Sequence, residues 1–191
     1  MALGQNFARV LLAAKAGEEW AVAKLYVELC GPVLAYLTLQ AAGEGEDLAS
    51  ETWIDVARAL PRFDGVEEDF RRFVFAIAHR RLVDHRRKLR RRKTHPAPSE
   101  LLETHLPSGD VEAEALDGLA RKEAVAHIRA LPRDQAEVLL LRIFAGLSAV
   151  EVARLLGKRP VTVRVLQHRA LSRLAARLSE FDVTAEQLGA M

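Results

Sequence analysis

Apolar residues recur every three or four positions along most of this 191-residue chain. That spacing is typical of an amphipathic helix, which buries one stripe of its surface. A half-buried strand would alternate apolar and polar residues instead, and no stretch of useful length does so. No internal repeat indicates a solenoid. The sequence therefore predicts an all-α protein.

Prolines and glycines divide the first half of this helical pattern, because proline breaks a helix interior and glycine favours turns. The predicted segments are two helices within residues 6–40 broken near Gly31–Pro32, a third over residues 46–60 that stops before Pro61, a loop through Phe63, Asp64 and Gly65, and a long helix from Asp69 to about Arg92.

Residues 94–118 contain three prolines and two glycines and have weak periodicity, which is the composition of a flexible linker. The chain is long enough for a compact helical domain on each side of it. The predicted organisation is a first helical domain over 1–93, the linker, a second helical domain over 119–178 and a tail over 179–191 with one helical turn. The predicted helices of the second domain end near Leu131–Pro132, span about Arg133 to Phe144, and flank Gly157.

Charges are segregated along the chain, although the net charge is only +2. Residues 44–69 hold nine acidic and two basic residues, whereas residues 79–93 hold nine basic and one acidic. Residues 94–120 hold six acids and no lysine or arginine, and residues 148–178 hold seven basic residues and one acid. Alternating blocks of opposite sign predict at least two kinds of partner, one of them a polyanion.

The segment around Gly157 has the capping and turn residues typical of two short helices joined by a tight turn. Ser148 followed by Glu151 is a capping-box pattern, which predicts a helix from Ser148 to Leu156 that Gly157 ends. Pro160 suits the first turn of the next helix, because its missing N–H has no helical partner there. The spacing predicts a helix-turn-helix.

The second helix of this motif has two distinct faces. Ala153, Gly157 and Val163 fall at the small, turn and plug positions of a helix-turn-helix. An arginine-bearing face opposite the apolar one suits base edges in the major groove, which favours DNA recognition over a solvated basic helix. Arg173 and Arg177 are expected to contact phosphate or solvent. The apolar face comprises Val163, Leu166, Ala170, Leu174 and Leu178, and the opposite face Val161, Arg164, Val165, His168 and Arg169.

The predicted helix over 46–60 also has two distinct faces. An acidic face with an exposed leucine predicts a protein partner that carries basic residues, and it would repel DNA. The predicted core side comprises Trp53, Val56, Ala57 and Leu60, and the predicted exposed side Asp47, Leu48, Glu51 and Asp55.

The sequence lacks signals for export, membrane insertion, metal binding or catalysis. No apolar run approaches the roughly 18 residues of a membrane span, so a cytoplasmic protein is expected. Cys30 is the single cysteine, and a role in core packing is expected for it. An enzyme using Asp84, His79 and His85 is disfavoured, because the two histidines lie about 240° apart around a helix. No catalytic residue, metal or cofactor is expected.

The motifs "EDLASETWIDV", "FRRFVFAIAHRRLVDHRRKLRRR" and "LPRDQAEVLLLRIFAGLSAVEVARLLG" resemble those of the bacterial extracytoplasmic-function (ECF) sigma factors. The resemblance covers nearly the whole chain. It implies that the first domain, region 2, binds the β′ clamp helices of core RNA polymerase and melts the −10 promoter element. The second, region 4, would bind the β flap and promoter DNA at the −35 element, and an anti-sigma factor is a possible further partner. A free-standing helix-turn-helix regulator is the alternative, disfavoured by the acidic Asp47 face.

The resemblance also assigns residues by position. Those implied for polymerase binding are Asp47, Leu48, Glu51, Thr52 and Asp55. Those implied for the −10 element lie in a loop from Phe63 to Phe70 that binds a flipped-out base, and on the adjoining helix. They are Phe63, Asp64, Phe70, Arg71, His79, Arg80, Asp84 and Arg87. Those implied for the −35 element are Arg159, Val161, Thr162, Arg164, Val165, His168 and Arg169.

The chain departs from the family pattern at two places. Relatives commonly have an aspartate-to-serine loop and a tryptophan where this chain has "GVEEDFRRF", with Glu67, Glu68 and Phe73. Arg159 and Val161 replace the usual small residues at the start of the recognition helix.

The acidic linker is either a soluble tether or a segment that lies in a basic polymerase channel, where carboxylates stand in for phosphates.

Overall fold

The computed structural model describes residues 3–41, 43–93 and 124–189, with side chains described up to residue 91 and from 124 to 177. Every regular element among these residues is helical, which confirms the all-α prediction for them. The chain divides into two compact units, Met1–Thr104 and His105–Met191. The linker predicted over 94–118 lies outside the described residues. The helices of the first unit are α1 (Phe7–Lys15), α2 (Glu19–Gln40), α3 (Gly45–Ala59) and α4 (Glu67–Lys93), and those of the second are α5 (124–129), α6 (Arg133–Ile143), α7 (Ala149–Leu156) and α8 (Pro160–Gly189).

The boundary between α1 and α2 lies at Gly17, which adopts a positive φ of 88°. The Gly17 N–H donates to the Ala14 carbonyl, and the Glu18 N–H donates to the Ala13 carbonyl. This pair of bonds is a Schellman motif, in which a left-handed glycine satisfies the last carbonyls of a helix. The first helix therefore ends at Lys15, sixteen residues before the predicted break at Gly31.

The predicted break near Gly31–Pro32 is wrong, because α2 continues through Pro32. Proline inside a helix removes a hydrogen bond and costs about 3 kcal/mol or more. Leu25 and Leu29 before the proline and Val33 after it are nevertheless all buried, at helical spacing. Their packing favours one continuous helix, and this tertiary gain outweighs the local cost.

Helix α2 is also the most apolar helix described. By length and composition alone it could cross a membrane, contrary to the expectation that no such stretch exists. In the structure α2 packs against α1, α3 and α4, so the centre of the first unit is built around it. Val33, Tyr36 and Leu37 are fully buried in that centre. This packing accounts for the apolar composition of its inner face.

Helices α3 and α4 complete the first unit close to their predicted positions. Helix α3 ends at Ala59, and a short 3-10 turn over Leu60–Arg62 follows it. Helix α4 begins at Glu67, two residues before the predicted start. Its first half is buried through Val74, Phe75, Ala78 and Leu82, and its basic second half is largely exposed.

The second unit contains the predicted helix-turn-helix. The Glu151 N–H donates to Ser148 Oγ (3.3 Å) and the Ser148 N–H to Glu151 Oε2 (2.6 Å), which completes the capping box. Gly157 adopts a φ of 63° at the end of α7, and Pro160 is the first residue of α8. These findings confirm the predicted turn chemistry. Val163 is fully buried at the plug position.

Helix α8 extends further than predicted. Its backbone is helical to Gly189, whereas a single turn was expected in the tail after Ser179. No glycine or proline interrupts the chain between Pro160 and Gly189, so nothing in the local sequence ends the helix earlier.

Candidate functional site

An acidic groove of about 400 Å³ runs between α3 and α4. Asp47 and Glu51 are exposed along it, as predicted. Ile54, which the sequence analysis did not select, is 49% exposed and supplies the apolar part of the groove. The groove is lined by Glu44, Asp47, Leu48, Ser50, Glu51, Ile54, Arg81, Asp84, His85, Lys88 and Leu89.

Leu48 and Thr52 belong to the core beneath this groove. Leu48 is only 5% exposed, so the prediction that it is unprotected is wrong. Leu48, Thr52 and Val56 are four residues apart and share the face of α3 that is buried. Thr52 is fully buried and its Oγ1 donates to the Leu48 carbonyl at 2.7 Å, which satisfies the hydroxyl within the helix.

The predicted core side of α3 is correspondingly displaced. Ala57 is exposed. Trp53 is half-buried, and its ring packs edge-on against Tyr26 with the centroids 4.9 Å apart. Both residues lie near an apolar cleft between α2 and α3 rather than in the centre of the unit.

Asp55 is held by arginines from α4. Its Oδ2 accepts from Arg81 Nε at 2.7 Å and from Arg80 Nη2 at 3.1 Å, and its side chain is 14% exposed. The hydrogen bond from Arg81 holds the pKa of the Asp55 carboxyl below its ordinary value, and partial desolvation opposes this only in part. Arg81 also donates to Glu51 Oε2 at 3.1 Å. Asp55 is therefore an ionised link between the two helices.

An aromatic cleft of about 590 Å³ lies at the C-terminal end of α3. The Phe63 ring contacts those of Phe73 and Phe70, with centroids 5.0 and 5.5 Å away. The cleft itself carries three arginines and two aspartates around the aromatic rings. It is lined by Asp55, Arg58, Ala59, Arg62, Phe63, Asp64, Phe73 and Arg80.

The loop beside this cleft is shorter than the implied segment from Phe63 to Phe70, because α4 already begins at Glu67. Asp69 Oδ2 accepts the Val66 N–H at 3.1 Å, and this bond caps the start of α4. Gly65 has a φ of 150°, and an added Cβ would lie 2.8 Å from the Asp69 Cβ. Only glycine fits this tight approach of loop and helix.

The predicted −10 residues fall into two groups. Phe63, Asp64 and Arg80 line the aromatic cleft, whereas the other five do not. His79 Nδ1 lies 3.1 Å from the Tyr36 hydroxyl inside the first unit. Phe70 is buried against the aromatic rings, Arg71 is half-buried, and the Asp84–Arg87 pair (3.8 Å) lies further along α4.

Arg58 and Arg62 were missed by the sequence analysis although they line the cleft. A signal was present, because they are the two basic residues within the acidic block over 44–69. Basic residues that interrupt an acidic segment are candidates for contact with an anion.

The exposed face of α8 matches its predicted pattern, and is called here the recognition face. Val163 and Ala170 are fully buried on the opposite side, and Val161 is 65% exposed. The confirmed pattern places charge and apolar groups together toward solvent. The recognition face comprises Val161, Thr162, Arg164, Val165, His168 and Arg169 of α8 together with Arg159, which directly precedes the helix, and all seven are exposed.

Polar contacts hold α8 against the rest of the second unit. Arg142 Nε donates to Gln167 Oε1 at 3.1 Å and its Nη1 donates to the Leu147 carbonyl. Arg173 Nη1 donates to Gln135 Oε1 at 3.3 Å, so Arg173 is partly engaged with α6. The bonds that involve Gln167 and Arg173 join α8 to α6, and they help to fix the rotation of α8 and hence the direction of the recognition face.

Comparison with known proteins identifies both units. Residues 28–92 match Sigma-70 region 2, and residues 121–174 match Sigma-70, region 4. The chain is 39% identical over 141 residues to the ECF RNA polymerase sigma factor ShbA of Streptomyces griseus, covering 69% of this chain and 70% of ShbA. It is 32% identical over 179 residues to the ECF RNA polymerase sigma factor SigD of Mycobacterium tuberculosis, covering 90% of this chain and 83% of SigD.

The fold is similar to that of CnrH, solved in complex with the cytosolic domain of CnrY. The TM-score is 0.61 at 20% identity, over 92% of this chain and 99% of CnrH. With both sigma regions present in order, this chain belongs to the ECF RNA polymerase sigma factors, the subunits that bind core polymerase and direct it to promoters.

Proposed function

We propose that residues 1–93 act as region 2 and residues 119–178 as region 4, joined by the linker over 94–118. The observation that carries this division of roles is that one small unit presents an acidic groove and a separate aromatic cleft. An acidic groove suits a basic protein surface, whereas an aromatic and arginine-rich cleft suits a nucleic-acid base. Region 2 thus holds polymerase with one surface and DNA with another.

The acidic groove is the proposed contact with the β′ clamp helices. Asp47 and Glu51 supply exposed carboxylates, and Ile54 supplies apolar area that a partner would bury. Leu48 and Thr52 act from beneath by fixing the helix that carries these groups. Charge complementarity of this kind gives orientation and a fast association rate, and the apolar centre gives affinity.

The aromatic cleft is the proposed site for a −10 base that has left the duplex. Such a base loses its stacking partners, and the ring of Phe63 or Phe73 replaces them. Arg58, Arg62 and Arg80 surround the rings with donors for the base edge or the adjoining phosphates. The cleft therefore combines the two interactions that an unstacked base needs.

The recognition face of α8 is the proposed reader of the −35 element. Arg164 and Arg169 present guanidinium groups that can donate two hydrogen bonds to guanine. Val161 and Val165 present exposed apolar groups that can contact a thymine methyl. Region 4 is also the proposed partner of the β flap.

Regulation by an anti-sigma factor is the remaining proposal about partners. CnrH, which has a similar fold, was solved with the cytosolic domain of CnrY bound.

A cytoplasmic location follows from action on polymerase and DNA. The family is one of non-enzymatic initiation factors, and we assign no catalytic residue, metal or cofactor. Among the described residues no group of three or more metal-ligating side chains is found.

Run-off transcription with purified core polymerase on a promoter library tests the proposal. The full chain should direct initiation at a limited set of promoters, which a free-standing regulator would not do. Asp47→Lys should abolish binding to core while leaving the helical spectrum unchanged. Glu46→Lys is the matched control, because Glu46 is exposed on the same helix but does not line the acidic groove. Equal core affinity for the two variants would contradict the assignment of the groove.

A further inference from the structure

A single carboxylate stands between the acidic groove and the aromatic cleft. Asp55 Oδ2 accepts one hydrogen bond from Arg80 and one from Arg81, and Asp55 Oδ1 lies 3.8 Å from Arg58 Nη1. Asp55 and Arg80 both line the cleft, whereas Arg81 lines the groove. Asp55 therefore touches arginines that belong to both surfaces.

Arg80 and Arg81 differ in what surrounds them. The Arg81 side chain is 28% exposed and bonds Asp55 and Glu51 together, so it is an anchor between α3 and α4. The Arg80 side chain is 64% exposed and donates one bond to the same carboxylate. A guanidinium group has five N–H donors, so this bond leaves most of them available to a ligand in the cleft that Arg80 lines.

We propose that Asp55 is a positioning residue that holds Arg80 in the orientation needed to discriminate the −10 base, and is not a direct contact with polymerase. This inference rests on the proposed function of the aromatic cleft. It also revises the role implied for Asp55 by family resemblance, in which the residue binds polymerase.

Two physical effects support the proposal. A guanidinium fixed by a carboxylate loses less freedom when it binds a base, because its side chain is already ordered. The carboxylate also repels phosphate, so a neutral base edge is favoured over sequence-independent contact with the backbone. Asp55 is nearly covered by its arginines, which leaves little of it for a polymerase side chain to reach.

The test uses holoenzyme assembled from core polymerase and the full chain. Wild-type holoenzyme first selects a single-stranded −10 DNA from a randomised pool, and affinities for that strand and its single-base variants then measure discrimination. Asp55→Asn should lower discrimination at one position by about tenfold, within the range of coupling between contacting residues. Affinity for disfavoured strands should be unchanged or higher. The dependence of log affinity on log salt concentration should steepen by about the amount expected for one added phosphate contact.

A double-mutant cycle separates positioning from a structural role. Arg80→Ala should lose the same discrimination while Arg81 still links Asp55 to α4, and Asp55→Asn should add no further loss in that background. Glu46→Gln makes the same carboxyl-to-amide change elsewhere on α3 and should behave as wild type. Core affinity should be unchanged in all three single variants.

Three results would overturn the inference while leaving the proposed function of the cleft in place. Wild-type discrimination in Asp55→Asn would do so, as would losses that add fully in the double variant. A loss of core affinity with discrimination intact would restore Asp55 to the polymerase contact. A wild-type holoenzyme without any base preference in the −10 pool would instead defeat the proposed cleft function, and the inference with it.

Discussion

Leu48 and Ile54 lie six residues apart on α3, and truncating Leu48 to alanine should mainly lower stability, whereas truncating Ile54 should also weaken core binding. Leu48 is 5% exposed, and shortening a buried leucine to alanine costs about 2–5 kcal/mol of unfolding free energy. For a unit of this size that loss lowers the melting temperature by roughly 8 °C or more. The Leu48→Ala variant should keep its intrinsic affinity for core when assayed well below its melting temperature.

Ile54→Ala removes three carbon atoms worth about 0.8 kcal/mol each when fully buried. Ile54 is 49% exposed, so about half of this amount, roughly 1 kcal/mol, is lost from stability. The exposed half is available to a partner, and its loss should weaken core binding by about fivefold. Thermal unfolding by circular dichroism and fluorescence titration with core polymerase measure the two effects. The reasoning is refuted if Leu48→Ala melts like wild type and binds core more weakly than Ile54→Ala.

Three further predictions concern the cap of α7, the recognition face and the pH dependence of stability. Ser148→Ala removes one bond of the capping box and should destabilise the second unit by about 1 kcal/mol, measured by chemical denaturation. Arg164→Ala and Arg169→Ala should each cost about 1–3 kcal/mol of discrimination between −35 sequences in binding titrations, whereas Arg177→Ala should weaken all sequences alike and lower the salt dependence. The pKa of Asp55 is depressed in the folded state, so its contribution to stability is present above its unfolded pKa and is lost as pH falls through its folded pKa. Acid unfolding of Asp55→Asn should therefore be less steep than that of wild type.

Each of these predictions has an outcome that contradicts it. Unchanged denaturation of Ser148→Ala would mean that the capping bonds add nothing to the turn. Identical behaviour of Arg164→Ala and Arg177→Ala would mean that the recognition face is wrongly phased. If the stability of Asp55→Asn falls as steeply with decreasing pH as that of wild type, the pH dependence arises from other carboxyl groups.

Local chemistry made the second unit predictable from the sequence. The turn between α7 and α8 depends on neighbouring residues alone, namely a capping serine, a left-handed glycine and an N-terminal proline. Each of these residues acts within one helical turn of its own position. The two faces of α8 follow from the helical spacing of its apolar residues, and the burial of Val163 and Ala170 agrees with that spacing.

The errors in the first unit arise where tertiary packing overrides local preference. Pro32 predicts a break, yet buried residues on both sides of it hold α2 together. On α3 the error is one of rotation, because Leu48 and Trp53 are both apolar and the sequence alone does not show which of them faces α2 and α4. Thr52 completes the buried stripe and is polar, so periodicity of apolar residues could not include it.

Two of the three residues that depart from the family motif beside the aromatic cleft, Glu67 and Phe73, have structural roles in this chain. Glu67 accepts the backbone N–H groups of Leu3 and Gly4 at 2.9 and 2.7 Å, so its carboxylate ties the N-terminal segment to the start of α4. Phe73 packs against Phe63 and forms part of the cleft wall. A carboxylate already engaged by two backbone donors is poorly placed to accept from a base. Glu67 is therefore a poor candidate for a base contact, and the −10 preference of this chain should be measured on its own holoenzyme and not transferred from a relative.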